Sequence, residues 1–331
     1  MTQEGTKQEV SKKFYEDKKW RFFSYAIWIG LVLFLMVVTT AGGAGKLSAI
    51  TTPKMLQNLF QSWLILAILI PPMIMVSTTG GLDLSVGAVA GLVAVTVATV
   101  MQEGASGWVA VFIALRISIF IGLVNGILIG LTRINGFIVT LGMATLIRGA
   151  VLQLSQEGPT AFISQDTLFP GLSVVMVLFL ILLTIILIVL AELTPLGQKR
   201  FTDTGNEPLV LHLIRTAIPY LLSSIMAGFV GLLLLARLQT AFAGTGMGLE
   251  TEVILSLFLA GIPMGGGLFN VLGALLASLV ISLHKVVAAV NGSSVGIIQT
   301  QQGYGLLIFG VLSQVYFLAA NWFYKKRTAG K

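Results

Sequence analysis

The stretch AIPYLLSSIMAGFVGLLLLA, from Ala217 to Ala236, decides the fold, because no charged residue interrupts it. About 20 apolar residues in helical form cross the ~30 Å hydrocarbon core of a bilayer. The run from Leu172 to Leu193 is similar in character and contains one charged residue, Glu192. Charged residues make up only 10% of the chain, whereas soluble domains carry about 25%. We therefore expect an all-α integral membrane protein.

Apolar runs separated by polar or glycine-rich breaks predict about ten transmembrane helices, with interrupted helices at the glycine breaks. The predicted spans lie near residues 22–40, 58–78, 83–101, 108–131, 136–155, 170–193, 214–236, 250–263, 268–284 and 303–323. The first run is longer than the core of a cleaved signal peptide, about 7 to 15 residues, so we expect a retained span. The predicted division is a basic N-terminal segment at 1–21, a transmembrane domain at 22–323 and a basic tail at 324–331.

The basic residues predict the side on which each segment lies. An even number of spans puts both termini on one side, and Lys and Arg concentrate in cytoplasmic segments. Of the 20 Lys and Arg residues, fourteen lie in segments predicted to be cytoplasmic and two lie within spans. The other four lie in segments predicted to be outside, at Lys46, Lys54, Arg237 and Lys285. Because the terminal basic clusters flank apolar helices, they indicate membrane topology and not a nucleic-acid partner. We expect both termini in the cytoplasm.

Several kinds of site are excluded by the residues that the chain lacks. It has no cysteine and only two histidines, His212 and His284, so we expect neither a disulfide nor a metal or other cofactor. It also has no glycine-rich phosphate loop followed by Lys and Ser or Thr, so it does not bind ATP through a P-loop. We expect no enzymatic activity, and any ATP-driven work must come from another subunit.

The run GGLDLSVGA, residues 80–88, places two glycines and a carboxylate between apolar helices. A carboxylate at membrane depth costs about 2.5 to 3.5 kcal/mol on insertion scales, so Asp83 should face a cavity, a partner or a helix N-terminus. Two interpretations stay open, a functional group on a transport path and a cap on the third span. They are compatible with each other.

A second glycine break repeats the spacing of the first. Gly80, Gly81 and Gly87 in the first break correspond to Gly266, Gly267 and Gly273 in the second. Paired interruptions in two halves of a membrane protein indicate a transport pathway at the repeat interface. Chance and close helix packing through small residues are the alternatives in a chain with 37 glycines.

Arg148 and Asn125 are polar residues inside predicted spans that could have structural roles. We expect Arg148 to be a structural or paired charge, because a charge in lipid first needs a partner. Asn125 lies one span earlier, where an amide more often joins helices than binds a ligand.

The inner loop from Thr194 to Leu213 is the largest cytoplasmic piece between spans, and a loop above ~12 residues is uncommon without a role.

These motifs resemble a known transporter family. The run at 80–88, and VNGILIGLTRINGFIVTLGMATLIRG from Val124 to Gly149, are similar to the permease subunits of ATP-binding-cassette importers of the ribose, xylose and galactose type. Similarity continues in the inner loop, at Ala243 to Gly246 and at Gly265 to Gly267, and covers nearly the whole chain from about the second span.

The resemblance implies a multi-pass permease of the bacterial plasma (inner) membrane, in contact with membrane lipid and forming one half of a dimeric pore. The implied partners are a second permease half, identical or homologous, cytoplasmic ATP-binding subunits and an extracytoplasmic solute-binding protein. In this family the inner loop docks a short helix on the ATP-binding subunit, a role that falls here on residues 206–213. We assign this docking to Gly205, Asn206, Glu207, Pro208, Leu209 and Leu211.

Two departures from the family pattern indicate a divergent branch. The docking stretch lacks the usual alanines followed by glycine and reads PLVLHLIR from Pro208 to Arg215. The segment after Gly246 has two extra residues.

The predicted function is transport of a small polar solute, preferentially a pentose or related sugar, by alternating access. We assign the substrate pathway to Asp83, Ser85, Asn125, Phe137 and Thr140. A nucleoside, an autoinducer-like compound or a branched-chain amino acid is the alternative substrate. The alternative mechanism, secondary transport, needs ion-coupling carboxylates at mid-membrane.

Overall fold

The computed structural model describes residues 52–155, 160–161, 208–262 and 270–329, together with Gly30, 182–186 and Val189. Its helices are α1 Pro53–Ser77, α2 Val86–Gln102, α3 Gly107–Thr132, α4 Gly136–Leu154, α5 Leu209–Leu238, α6 Leu249–Leu259, α7 Val271–Val290 and α8 Val295–Ala329. Two short strands, β1 Thr160–Ala161 and β2 Thr240–Ala241, pair antiparallel. The all-α membrane class is confirmed, with this small strand pair as an addition that the sequence did not predict.

Five of the described helices are long and apolar enough to cross a bilayer: α1, α3, α4, α5 and α7. The α2 helix is apolar but has 17 residues, and α6 has 11 where a longer eighth span was predicted. The predicted spans near 22–40 and 170–193 lie largely outside the described residues. The count of ten spans and the division at residues 21 and 323 therefore stay predictions.

Local sequence explains several helix ends. Arg133 and Gln239 follow α3 and α5 with φ of 55°, the left-handed conformation that closes many helices. The Asn135 side chain accepts a hydrogen bond from the backbone N of Phe137 at 2.9 Å and so caps α4. Gly136, the first residue of α4, approaches the ring of Tyr220 so closely that a Cβ atom would overlap the hydroxyl.

The chain forms two compact units, and the larger contains residues 71–196 and 204–250. Within this unit α5 packs mainly against α3 and α2. Gly122, Gly126 and Gly130 lie one turn apart on α3 and face α5, where a Cβ on Gly126 would stand 2.6 Å from the Cα of Ala217. Small residues at this spacing let two membrane helices approach closely.

Apolar side chains are exposed along α3 and α4, including Trp108, Phe112, Phe120, Ile138 and Leu146. A soluble protein rarely shows so much exposed apolar surface. Such surface is expected of helices that face lipid tails or another membrane subunit.

The other unit contains residues 1–70, 197–203 and 251–331. Its buried apolar residues include Leu283, Val286 and Val287 of α7, against which Met55 and Leu59 of α1 pack. Trp63 of α1 donates its indole N–H to the carbonyl of Leu275 at 3.1 Å. Burial of the indole with its donor satisfied stabilises this helix contact.

Candidate functional site

The first glycine break is an irregular segment between α1 and α2. Ser77 ends α1, and Thr78 and Thr79 form the turn that follows. Each of the three hydroxyls donates to the carbonyl three residues earlier, at 2.8, 2.7 and 2.7 Å. Gly80 then has φ of 83°, a conformation that costs glycine little. These side chains compensate the carbonyls that the end of a helix leaves without intrahelical partners.

Asp83 lies at the centre of this segment and is fully buried. Its Oδ1 accepts hydrogen bonds from the backbone N of Ser85 at 2.9 Å and from the Ser85 hydroxyl at 2.6 Å. Asn125 of α3 donates through Nδ2 to the same hydroxyl at 3.1 Å. The carboxylate therefore shapes the entry to α2 in the manner of a cap, and it also belongs to a polar chain that reaches α3.

Thr140 of α4 holds the backbone of the break from another direction. Its Oγ1 lies 2.9 Å from the carbonyl O of Leu82 and accepts a hydrogen bond from the backbone N of Leu84 at 3.1 Å. One buried hydroxyl thus links α4 to the peptide groups on both sides of Asp83.

Tyr220 and Ser223 of α5 face the same region, with Ser224 beside Gly122 of α3, and none of the three was predicted as a site residue. The Ser223 hydroxyl lies beside the Asp83 carboxyl, and the Tyr220 ring packs against Gly81 and Gly136. Ser224 contacts the position where Gly122 would carry a Cβ. The adjacent serines in the otherwise apolar stretch Ala217–Ala236 were a usable sequence signal.

Five buried polar atoms in this region form no hydrogen bond of full geometric quality among the described residues, although the Ser223 hydroxyl interacts with the Asp83 carboxyl and the Thr79 hydroxyl with that of Tyr220. They are Asp83 Oδ2, Asn125 Oδ1, Tyr220 OH, Ser223 Oγ and Ser224 Oγ. We call the set of Asp83, Ser85, Asn125, Thr140, Tyr220, Ser223 and Ser224 the polar cluster. Most buried polar groups in proteins are hydrogen-bonded. Five buried groups with incomplete hydrogen bonding in one place therefore indicate a functional site.

The register of the helices places the polar cluster within the bundle and not at its end. Asn125 lies seven residues before the last residue of α3, about 10 Å along the axis at 1.5 Å per residue. Thr140 lies four residues into α4, about 6 Å from its start. Irregular backbone at membrane depth is tolerated only where protein buries it or where it lines a cavity.

The structure brings four of the five predicted pathway residues together. Asp83, Ser85, Asn125 and Thr140 belong to the polar cluster, whereas Phe137 is 39% exposed on α4 and does not contribute to it. Phe137 precedes Thr140 by three residues, so the two side chains are close on the helix surface, but Phe137 lies in the first turn of α4 and is partly exposed.

The other predicted groups are only partly within the described residues. Gly205, Asn206, Glu207, Gly266 and Gly267 lie outside them. Pro208 precedes α5, and Leu209 and Leu211 form the exposed first turn of that 30-residue helix, so residues 209–213 are not a separate short helix. Gly273 lies in the first turn of α7, where its backbone N donates to Asn270 Oδ1 at 2.9 Å.

Arg148 lies on α4 beyond the polar cluster, and the structure gives its guanidinium several partners. Nη1 donates to the carbonyl O of Thr245 at 2.7 Å and approaches that of Ala243 at 3.4 Å. The Glu250 carboxylate lies within electrostatic reach. No group of three or more His, Cys, Asp or Glu that could hold a metal occurs among the described residues.

Comparison with known proteins identifies the family. Residues 55–314 match the family model described as the branched-chain amino acid transport system / permease component. The chain belongs to this permease family. It is 27% identical to the ribose import permease of Escherichia coli strain K12, over 83% of this chain and 88% of the relative. It is 30% identical to the galactofuranose transporter permease of the same strain, over 75% of this chain and 80% of the relative.

A third relative is the autoinducer 2 import system permease of Klebsiella pneumoniae subsp. pneumoniae, 30% identical over 63% of this chain and 68% of the relative. No solved structure matches the chain. The resemblance to importer permeases is confirmed, and the names of these relatives cover more than one kind of solute.

Proposed function

We propose that this chain is the transmembrane permease subunit of an ATP-driven importer for a small sugar, and that the polar cluster lies on the path of that sugar. The observation that carries the proposal is the fully buried Asp83 at membrane depth, surrounded by amide and hydroxyl groups with unused hydrogen-bonding capacity. The family membership and the ribose and galactofuranose permeases among the relatives support the same substrate class.

The chemistry of the polar cluster suits an uncharged polyhydroxyl solute. Sugar hydroxyls both donate and accept, so they complement a carboxylate, an amide and hydroxyls. A branched-chain amino acid would also present a carboxylate, and the residues of the polar cluster include no basic side chain to pair with it. The residues of the polar cluster therefore favour a sugar over the branched-chain amino acid that the family description mentions.

Alternating access accounts for the burial of the polar cluster. Asp83, Ser85, Asn125 and Thr140 have no exposed surface in this conformation, so a solute reaches them only after α2 or its neighbours move. ATP binding and hydrolysis would supply that movement from a partner subunit. We assign docking of this subunit to the segment from Gly205 to Leu211, whose described part carries exposed apolar side chains at Leu209 and Leu211.

The proposal is tested by uptake in cells that lack the native gene for this chain and carry it or its variants on a plasmid. We expect labelled ribose to accumulate and to be displaced by other pentoses but not by leucine. Displacement by leucine alone would contradict the sugar assignment. Displacement only by an autoinducer would assign the chain to that substrate.

The role of Asp83 within the proposal is tested by two substitutions. Asp83→Leu should abolish uptake while the protein remains inserted, because the loss of two hydrogen bonds from Ser85 is offset by removal of a costly buried charge. Asp83→Asn keeps the shape and the hydrogen bond to the Ser85 backbone, so it retains the cap but loses the charge. Loss of uptake in both variants supports a role on the path, and full uptake in Asp83→Asn reduces Asp83 to a cap.

A matched control is Thr99→Val on α2, the helix that Asp83 precedes. Among the described residues, the Thr99 hydroxyl donates to the carbonyl of Val95, four residues earlier, at 2.9 Å. Its substitution should leave uptake unchanged, with membrane levels of every variant compared by immunoblot.

A further inference from the structure

The loop from Phe242 to Gly248, which follows β2, packs back against the first turns of α2. It is folded by local bonds: the Thr245 Oγ1 accepts from the backbone N of Phe242 at 3.0 Å, and the Met247 N donates to the carbonyl of Gly244 at 3.0 Å. Gly246 and Gly248 have φ of 72° and 86°. Only glycine adopts these angles readily, so the sequence specifies a tight turn here.

Glycines on α2 provide the surface on which this loop rests. A Cβ on Gly87 would overlap the carbonyl O of Gly246 and the Glu250 carboxylate, and a Cβ on Gly91 would overlap the carbonyl O of Thr245. The two glycines are four residues apart and therefore share one face of the helix. The loop covers this face immediately beyond Ser85, on the side of the polar cluster toward which α2 runs.

Arg148 is the side chain that bonds the loop. Its Nη1 donates to the carbonyl of Thr245, whose side chain is almost fully buried, and approaches the carbonyl of Ala243. Backbone carbonyls of an irregular loop at membrane depth need donors, and a guanidinium offers several in a fixed fork. The Glu250 carboxylate, in the first turn of α6 just after the loop, acts electrostatically on this guanidinium.

We propose that Arg148 is a positioning residue for transport, which holds the 242–248 loop on the glycine face of α2 and so closes the polar cluster on that side. This rests on the proposed path through the polar cluster. A solute crossing the cluster would have to pass this loop, and movement of the loop would require the bonds from Arg148 to break. Arg148 touches no solute in this role.

The loop position can be measured directly, because the chain contains no cysteine. In membrane fragments with both faces accessible, Ala243→Cys should react slowly with a biotin maleimide, and Arg148→Met should raise that rate by roughly tenfold, the factor expected for losing a charge-assisted hydrogen bond. Met247→Cys, at a residue 62% exposed, should react equally fast with and without Arg148. Sugar uptake by Arg148→Met should fall at an unchanged membrane level.

An unchanged labelling rate at Ala243→Cys would overturn the proposal, and so would faster labelling with full uptake. If the wild-type chain transports no sugar, the proposed function fails, whereas the labelling rates still test the position of the loop.

Exchanging the charges of Arg148 and Glu250 tests whether Arg148 acts by bonding the loop carbonyls or only by pairing with the Glu250 carboxylate. Arg148→Glu combined with Glu250→Arg restores opposite charges but turns a carboxylate toward the carbonyls of Thr245 and Ala243, which it cannot bond. We expect no recovery of uptake or of slow labelling in this double variant. Recovery would show that the ion pair alone matters and would overturn the assignment.

Discussion

At the scale of single residues, the first break depends on contacts too close for any side chain. Gly81 approaches the Tyr220 hydroxyl, where an added Cβ would overlap, and it also lies against Gly136, with 3.2 Å between that Cβ and the Gly136 Cα. The requirement at this position is space, since its φ is not in the left-handed region, unlike that of Gly80. The two adjacent glycines therefore serve different physical needs.

We expect Gly81→Ala to reduce uptake severely and to lower the stability of the purified protein by about 1 to 3 kcal/mol, the usual cost of overpacking. Tyr220→Phe removes the hydroxyl that the new methyl group meets, so the double variant should recover part of both losses. Gly142→Ala is the control, because a Cβ there meets nothing within 4 Å. Stability is measured by the melting temperature. A double variant that melts no higher than Gly81→Ala would contradict the proposed overlap between the new methyl group and the Tyr220 hydroxyl.

How far sequence reasoning reaches is clearest at these residues. The cost of a carboxylate in lipid marked Asp83, and the side chain is indeed buried at the entry to α2. Ser223 and Tyr220 were missed because they are separated from Asp83 by some 140 positions and only helix packing brings them near. The contact between Arg148 and the 242–248 loop was not predictable, since the sequence around a single arginine in a span does not indicate which distant backbone carbonyls it will bond.

At the scale of elements, α6, α7 and α8 are joined by a buried ionic contact within the smaller unit. Lys285 Nζ donates to both oxygens of Glu252, at 2.8 and 3.0 Å, and Gln302 Nε2 donates to Oε1 at 3.1 Å. Glu252 and Gln302 are buried, whereas the Lys285 side chain is 36% exposed. A carboxylate that accepts three hydrogen bonds from two donor groups can be held in an apolar setting.

We expect Lys285→Met to lower stability by about 2 kcal/mol, less than the 3 to 5 kcal/mol for breaking a fully buried pair, because water reaches part of Lys285. Adding Glu252→Gln removes the remaining charge and should recover most of this loss. Thermal unfolding of the purified variants in detergent measures both effects. A double variant less stable than Lys285→Met would contradict the electrostatic explanation.

Element boundaries show where sequence patterns lose information. The predicted spans at 58–78, 108–131 and 136–155 correspond closely to α1, α3 and α4, because each lies between clear polar or glycine breaks. The long inner loop was expected to contain a separate short helix, yet residues 209–213 continue directly into α5. No proline or glycine interrupts the chain between Leu209 and the apolar run, so propensity favours one continuous helix there.

At the scale of the whole molecule, the remaining question is which side of the membrane each loop faces. The pairing of Thr160 with Ala241 and of Ala161 with Thr240 places the segments after α4 and after α5 on the same side of the larger unit. The positive-inside count assigns both segments to the outside. Strand pairing and charge distribution are independent observations, and they agree on the relative placement of these two loops.

Single cysteines in the cysteine-free chain convert this topology into a labelling pattern. Glu103→Cys after α2 and Gln239→Cys after α5, both at exposed positions, should react with an impermeant maleimide in intact spheroplasts. Ile134→Cys, in the exposed turn between α3 and α4, should react only after the membrane is opened, as should Gly5→Cys and Gly330→Cys near the two termini. The physical reason is the retention of Lys- and Arg-rich segments on the cytoplasmic side.

Each departure from this pattern would contradict a different step of the reasoning. Complete inversion would refute the charge rule for this chain but preserve the helix assignments. Opposite behaviour of Glu103→Cys and Gln239→Cys would refute the predicted even number of crossings between the ends of α2 and α5, which are α3, α4, the predicted span at 170–193 and α5. Labelling of only one terminus in intact spheroplasts would require an odd number of spans and would remove the support for ten.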